Sequence, residues 1–104
     1  MTTCTAPGHP SCTITCSAGC GAIYSEPDGR GTTICANSAE PLKLDGNSRY
    51  SIHLNKISRD GLNAIFGGSI SDELSKKINE ATLVSTTLKD ASLLDLVNAI
   101  GQQL

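Results

Sequence analysis

Four of the five cysteines of this 104-residue chain lie within its first 20 residues, together with one of its two histidines. The six side chains that could bind a metal follow the pattern C-x4-H-x2-C-x3-C-x3-C-x14-C: Cys4, His9, Cys12, Cys16, Cys20 and Cys35. Thiolates and imidazoles bind zinc, pairs of cysteines form disulfides, and an activated thiolate is a nucleophile. The cysteine-rich segment is therefore open to three kinds of chemistry.

A structural zinc site is the first hypothesis. Zinc takes four tetrahedral nitrogen or sulfur ligands, often as two close pairs. His9 and Cys12 form one close pair, and prolines on both sides of Gly8-His9 stiffen the loop that would present the histidine. The best set of four ligands is Cys12, Cys16, Cys20 and Cys35, with Cys4 and His9 as further candidates. Zinc would then be a cofactor that holds the front half of the chain together.

Disulfides are the second hypothesis, because small loop-rich segments often depend on such bridges. The candidate pairs are Cys20 with Cys35 across a predicted hairpin, and Cys4 with Cys12 or Cys16. Cys12 and Cys16 are unsuited to each other, since four strand residues separate their Cα atoms by roughly 13 Å. A bridge requires a separation below about 7 Å. Five cysteines leave one thiol unpaired.

A reactive cysteine is the third hypothesis, which would make the chain a thiol-dependent enzyme or a redox protein. No C-x-x-C motif is present, and the spacing matches neither common ferredoxin pattern for an iron–sulfur cluster. Packing of free cysteines as small apolar side chains is a further alternative. All of these alternatives remain open at the level of the sequence.

Charge and hydropathy exclude several classes of function. The formal net charge is −2, with 8 basic and 10 acidic residues, and no basic stripe is interleaved with aromatic residues. The chain therefore lacks the electrostatic footprint of a nucleic-acid-binding protein. No apolar run approaches 18 residues, so we expect no membrane-spanning helix. The N-terminal sequence MTTCTAPGHP has neither the basic nor the apolar region of a secretory signal, which favours a cytoplasmic location.

Residues 1–40 have the pattern of short strands and turns. In SCTITC, residues 11–16, Cys12, Ile14 and Cys16 alternate with polar residues, which predicts a strand with one buried face. GAIYS and TTICA flank EPDGRG, whose Pro-Asp-Gly sequence favours a turn in which Gly29 or Gly31 takes a positive φ. We predict a cysteine-rich β-hairpin segment for this half.

Residues 41–104 have a different pattern. YSIHL and ATLVSTTL predict strands, with His53 facing solvent between Ile52 and Leu54. Helices are predicted over 58–68, over 69–78 and in KDASLLDLVNAIGQQL, where Ser92 and Asp95 have the spacing of a capping box. The order of elements predicts a small βααβα-type unit, and the whole chain is predicted to be an α+β protein with a boundary near residue 40.

The end of the chain, TTLKDASLLDLVNAIG, combines a strand, a polar turn and a helix whose apolar residues include Leu93, Leu96, Val97 and Ile100. With the strand and helix of YSIHLNKISRDGLNAIF, residues 49–104 resemble the small N-terminal domain of secretins and TonB-dependent receptors. The resemblance implies an interaction module that binds protein partners and has no catalytic motif.

The sequence thus predicts a non-enzymatic interaction or accessory protein with a protein partner and a structural zinc site. One alternative is a disulfide-stapled exported protein that binds a ligand or an envelope partner. The other is a thiol-dependent enzyme. The pattern does not indicate an oligomeric state.

Overall fold

The computed structural model describes residues 1–26, 29–35, 48–58 and 83–103. In chain order, these residues form β1 (Thr2–Thr5), β2 (Thr13–Cys16), β3 (Cys20–Glu26), β4 (Arg30–Cys35), β5 (Arg49–Ser58), β6 (Leu83–Ala91) and α1 (Leu93–Gln103). Strands account for 62% of them and form a two-stranded and a four-stranded sheet. The prediction of an α+β chain with a βααβα unit is therefore wrong, because β-structure dominates the described residues and they contain a single short helix.

Bulges explain why the strands of the second half are longer than predicted. β5 has 10 residues and β6 has 9, whereas the alternating patterns predicted shorter strands. Lys56 and Asp90 have positive φ angles of 53° and 54°, and the pairing of β5 with β6 shifts its register near both positions. A bulge absorbs an extra residue without ending the ladder. Polar residues that look like turn residues therefore continue the strands.

The larger sheet has the order β4-β3-β5-β6, and all of its neighbouring strands are antiparallel. It contains strands from both sides of the predicted boundary near residue 40, which itself lies outside the described residues. Of the helices predicted over 58–68 and 69–78, Ser58 is the last residue of β5, and the rest also lies outside the described residues. The resemblance of residues 49–104 to the secretin and TonB-receptor domain therefore stays a prediction.

The β1–β2 hairpin covers one face of the large sheet. Alternate β3 residues point towards the hairpin, because side chains alternate between the two faces of a strand. Cys20 and Ala22 are fully buried in a cluster with Cys4, Ala6 and other residues of the hairpin segment. On the hairpin's outer face, paired threonine hydroxyls form hydrogen bonds of 3.0 and 2.7 Å across the strands. The alternation predicted for residues 11–16 is confirmed.

The second core lies on the opposite face of the large sheet. Ile23 and Ile52 are direct neighbours on β3 and β5, and Leu54 is on the same face of β5. α1 packs against β6 and contributes Leu96 and Ile100, which are almost completely buried. The residues that the structure describes therefore form three layers: the hairpin, the four-stranded sheet and the helix.

A reciprocal capping box begins α1, as predicted. The Ser92 backbone N–H donates to Asp95 Oδ2 at 3.0 Å, and the Asp95 N–H donates to Ser92 Oγ at 3.2 Å. These bonds satisfy backbone donors that the first helical turn leaves without partners. The hydrogen bond from the Ser92 backbone, followed by that involving its side chain, holds the pKa of Asp95 below its ordinary value.

Because the pKa of Asp95 is lowered, the stability that the capping box contributes depends on pH. A carboxylate whose folded pKa is depressed stabilises the fold above its unfolded pKa of about 4, and this contribution is lost as the pH falls through the folded pKa. We expect Asp95→Ala to be less stable than the parent protein at pH 7, with the difference shrinking below about pH 4. Urea unfolding at pH 7 and pH 2 measures this change, and a difference independent of pH would contradict it. Ser92→Ala should cost about 1 kcal/mol at pH 7.

α1, the one helix among the described residues, is too short to cross a membrane.

Candidate functional site

Two disulfides join the hairpin to the large sheet. Cys4 of β1 is bonded to Cys20 of β3, with Cα atoms 5.9 Å apart. Cys16 of β2 is bonded to Cys35 of β4, with Cα atoms 5.6 Å apart. Each strand of one hairpin is thus bonded to a strand of the other, and Cys12 remains the free cysteine. The disulfide hypothesis is therefore supported.

The predicted pairs differ from these bridges for a geometric reason. Cys20 and Cys35 are direct neighbours in the β3–β4 ladder, as the predicted hairpin requires. Both side chains lie on the sheet face that the β1–β2 hairpin covers, so each meets a cysteine of the opposing layer. The sequence predicted the hairpin correctly but not the docking of one hairpin on the other.

The zinc hypothesis is wrong. Four of the six candidate ligands, Cys4, Cys16, Cys20 and Cys35, are bonded in pairs, and a disulfide sulfur is no longer the thiolate that zinc binds. No cluster of three or more histidine, cysteine, aspartate or glutamate side chains that could hold a metal occurs in the described part of the chain. His9 and Cys12, the remaining two candidates, have other partners.

The disulfides also bear on location. Structural disulfides persist in oxidising compartments and are rare in the cytosol. The cytoplasmic location that the N-terminal sequence favoured therefore fits the structure poorly, and an oxidising environment fits it better.

Cys12 is buried between the two layers, with 6% of its surface exposed. Its Sγ lies 3.6 Å from the carbonyl oxygen of Ile23 and 3.8 Å from that of Thr32, which accept its weak hydrogen bonds. Burial raises the pKa of the Cys12 thiol. A Cβ on Gly31 would lie 3.1 Å from this sulfur, so the glycine leaves room for it. Burial thus favours the protonated thiol, which is the opposite of what a nucleophilic cysteine requires.

We expect Cys12 to react slowly with iodoacetamide in the folded protein. Exposure of the thiol requires a local opening, and an opening free energy of about 3 kcal/mol alone reduces the rate on the order of a hundredfold. The measurement compares labelling at pH 8 in buffer and in concentrated urea without reductant, where the same single thiol is free. Equal rates in the two conditions would show that Cys12 is accessible.

The loop between β1 and β2 is formed by two consecutive turns. The His9 N–H donates to the Ala6 carbonyl at 3.0 Å, closing a turn over Pro7 and Gly8. Gly8 has a φ of +79°, and proline followed by a residue of positive φ is the arrangement of a type II turn. The Cys12 N–H then donates to the His9 carbonyl at 2.9 Å, and the Ala6 N–H donates to the Cys12 carbonyl at 3.0 Å. The loop is thereby held in one shape.

This loop places His9 on the end of β3. The imidazole stacks on the ring of Tyr24, with centroids 3.6 Å apart and planes inclined by 13°. Its Nε2 lies 3.0 Å from Glu26 Oε1. His9 therefore contacts a carboxylate and an aromatic ring instead of a metal. Glu26, which the sequence indicated only as part of a turn, is its partner.

An open cleft of about 380 Å³ lies beside His9. Its walls come from residues 7–9 of the loop, the end of β3, the start of β5 and the end of β6. Four charged side chains line it: Glu26, Arg49, Lys89 and Asp90. A cleft with converging polar groups is the usual form of a small-molecule site. We take this charged cleft as the candidate functional site.

An ion pair closes one side of the charged cleft. Arg49 Nε lies 3.1 Å from Asp90 Oδ1, and its guanidinium also donates to the Asp90 backbone carbonyl. The two contacts tie the start of β5 to the bulge at the end of β6. Both side chains are largely exposed, so the pair contributes to the shape of the cleft more than to stability.

His53 differs from its predicted role. It is half-buried, and its Nδ1 accepts a hydrogen bond of 3.2 Å from the Thr5 backbone N–H. The ring therefore attaches the free edge of β1 to the large sheet, because Thr5 pairs with β2 on its other side. The prediction of a solvent-facing histidine is corrected by this contact.

A second depression, of about 390 Å³, is also open to solvent. It is lined by Tyr24, Cys12 and neighbouring small residues of β2 and β4, including Gly31 and Thr33. None of the described residues that line it is charged. The charged cleft offers more specific contacts to a ligand.

Of the residues that line the cleft, the sequence indicated His9 as a candidate site residue but none of the four charged side chains. They are isolated in the chain and come together only through sheet pairing, which places Glu26 opposite Arg49 on neighbouring strands. The one available signal was the stiff Pro-Gly-His-Pro loop.

Comparisons of this chain with models of protein families, with curated proteins and with solved structures find no significant match.

Proposed function

We propose that this chain is a disulfide-stabilised binding domain of an oxidising compartment, and that it binds its ligand in the charged cleft without carrying out a reaction. The observation that carries the proposal is the pair of disulfides, which join both strands of the β1–β2 hairpin to the large sheet. The loop of this hairpin forms one wall of the cleft. The bridges therefore fix that wall against the strand ends opposite it.

The groups around the cleft favour binding over chemistry. His9, the obvious acid–base residue, is engaged by Glu26 and stacked on Tyr24. The free thiol of Cys12 is buried and contacts backbone carbonyls instead of an imidazole. A nucleophile within hydrogen-bond reach of a base, which covalent catalysis requires, is not formed by these residues. Rigid side chains held by neighbours are what a preorganised binding site requires.

The first test is a thiol count on unfolded, unreduced protein. One free thiol is expected, because Cys12 is the free cysteine. Five free thiols in protein purified from an oxidising compartment would overturn the proposal.

The second test locates binding by amide chemical shifts. A panel of small fragments with neutral, cationic and anionic members is titrated into the isotopically labelled, oxidised protein. Binders are expected to shift the amides of Gly8, His9, Lys89 and Asp90. Shifts confined to the second depression, at Ser11 and Thr33, would show that the charged cleft is not the binding site.

A further inference from the structure

Some of the described charged side chains around the cleft contact a partner of the protein itself, whereas Lys89 does not. Arg49 and Asp90 neutralise each other at 3.1 Å, and Glu26 contacts His9 at 3.0 Å. Lys89 has no carboxylate within 4.0 Å among the residues that the structure describes. Among the described residues that line the cleft, Lys89 is therefore the cation without a carboxylate partner.

The position of Lys89 is set by the loop opposite it. Its Cε lies 3.8 Å from the point where a Cβ on Gly8 would stand, which is ordinary van der Waals distance. The Lys89 side chain thus reaches the turn at Gly8, and Lys89 is one of the residues that line the cleft. Lysine side chains commonly cover a neighbour with their methylene groups while the charge stays in water. The contact limits the directions that the ammonium can take.

We infer that the ligand of this cleft carries a carboxylate, and that Lys89 is the residue that pairs with it. The inference rests on the proposed function, since it names the chemistry of the ligand for the same site. A singly charged group fits better than a phosphate dianion. The described lining contains two lysine or arginine side chains and two carboxylates, so a second negative charge on the ligand would meet Glu26 without a further lysine or arginine to compensate it.

The test is a titration of the labelled protein with sodium acetate as the carboxylate probe. Methylammonium chloride, inorganic phosphate and sodium chloride are titrated in parallel at pH 7.5. Acetate is expected to shift the amides of Gly8, His9, Lys89 and Asp90 in a saturable way. Its dissociation constant should be about 1–10 mM, which is within what so small a ligand can reach. Methylammonium and sodium chloride should give no saturable shift at these positions, and phosphate should bind more weakly than acetate.

Matched variants identify the pairing residue. Lys89→Met should weaken acetate binding at least about fivefold, whereas Lys89→Arg, which keeps the charge, should stay within about twofold of the parent. Lys56→Met is the control, because Lys56 is an exposed lysine near the far end of β5. Its acetate binding should equal that of the parent protein.

Two results would overturn the inference. One is acetate binding that Lys89→Met leaves unchanged. The other is binding of neutral or cationic fragments at the cleft amides while acetate gives no saturable shift. In the second case the inference fails and the proposed function stands. If no member of the fragment panel shifts the cleft amides, the proposed function fails as well.

Discussion

Replacing Cys16 and Cys35 by serine is expected to lower the free energy of unfolding by about 3 kcal/mol, and removal of both disulfides is expected to cost about 6 kcal/mol. The bridges close loops with sequence separations of 16 and 19 residues, for which loss of unfolded-state entropy predicts these values. A domain of this size has a total stability of about 5–15 kcal/mol. The variant without bridges should therefore be partly or wholly unfolded at 25 °C.

Urea unfolding monitored by circular dichroism measures the effect, and Cys12→Ser is the matched control. That substitution replaces a cysteine in the same layer but leaves both bridges intact, so it should cost about 1 kcal/mol, the worth of the thiol's contacts. A bridge variant no less stable than Cys12→Ser would show that the disulfides do not hold the layers together.

Gly19→Ala is expected to destabilise the protein by about 3 kcal/mol. A Cβ at this position would stand 1.8 Å from the Lys56 carbonyl oxygen and 2.5 Å from its carbonyl carbon. Both are backbone atoms of the β5 bulge, so no side chain can rotate to make room. Either the connection between β2 and β3 or the bulge must move, and both movements disturb the packing of the buried Ile57 beside it.

Gly101→Ala is the control for this substitution. Gly101 lies in α1, and a Cβ there would meet no described atom within 4 Å apart from those of its chain neighbours and of the helix's own backbone. Because alanine favours the helix over glycine by about 0.5–1 kcal/mol, this variant should be more stable than the parent. Thermal unfolding of the two variants should therefore show melting temperatures displaced in opposite directions. Similar changes in melting temperature for both variants would show that the close approach of Gly19 to the Lys56 backbone does not affect stability.

Local patterns in the sequence predicted the local structure well. The alternation around Cys12, Ile14 and Cys16 predicted the buried face of β2, and the Pro-Asp-Gly sequence predicted the β3–β4 hairpin. Gly29 has the positive φ of 67° that this turn was expected to require. Each of these features depends on residues within a few positions of each other, and such patterns act through backbone preference and strand periodicity.

Long-range arrangement could not be predicted in the same way. The choice of Cys4 as the partner of Cys20 depends on which sheet face the β1–β2 hairpin covers, and the spacing of the cysteines does not specify this. His53 seemed exposed because its neighbours on β5 are apolar, and the Thr5 N–H that it binds is 48 positions away. The charged cleft was missed for the same reason, since its walls come from four separate segments.

The arrangement of the two bridges determines what happens when a protease cuts the main chain. Exposed loop tips are the preferred points of proteolytic cleavage. A cut at Pro10 would leave the first piece attached through Cys4–Cys20, and a cut at Gly29 would leave the two pieces joined through Cys16–Cys35. Neither nick would release a fragment until a reductant was added. The main chain of such a molecule can be cut at either loop, and the pieces still remain covalently joined.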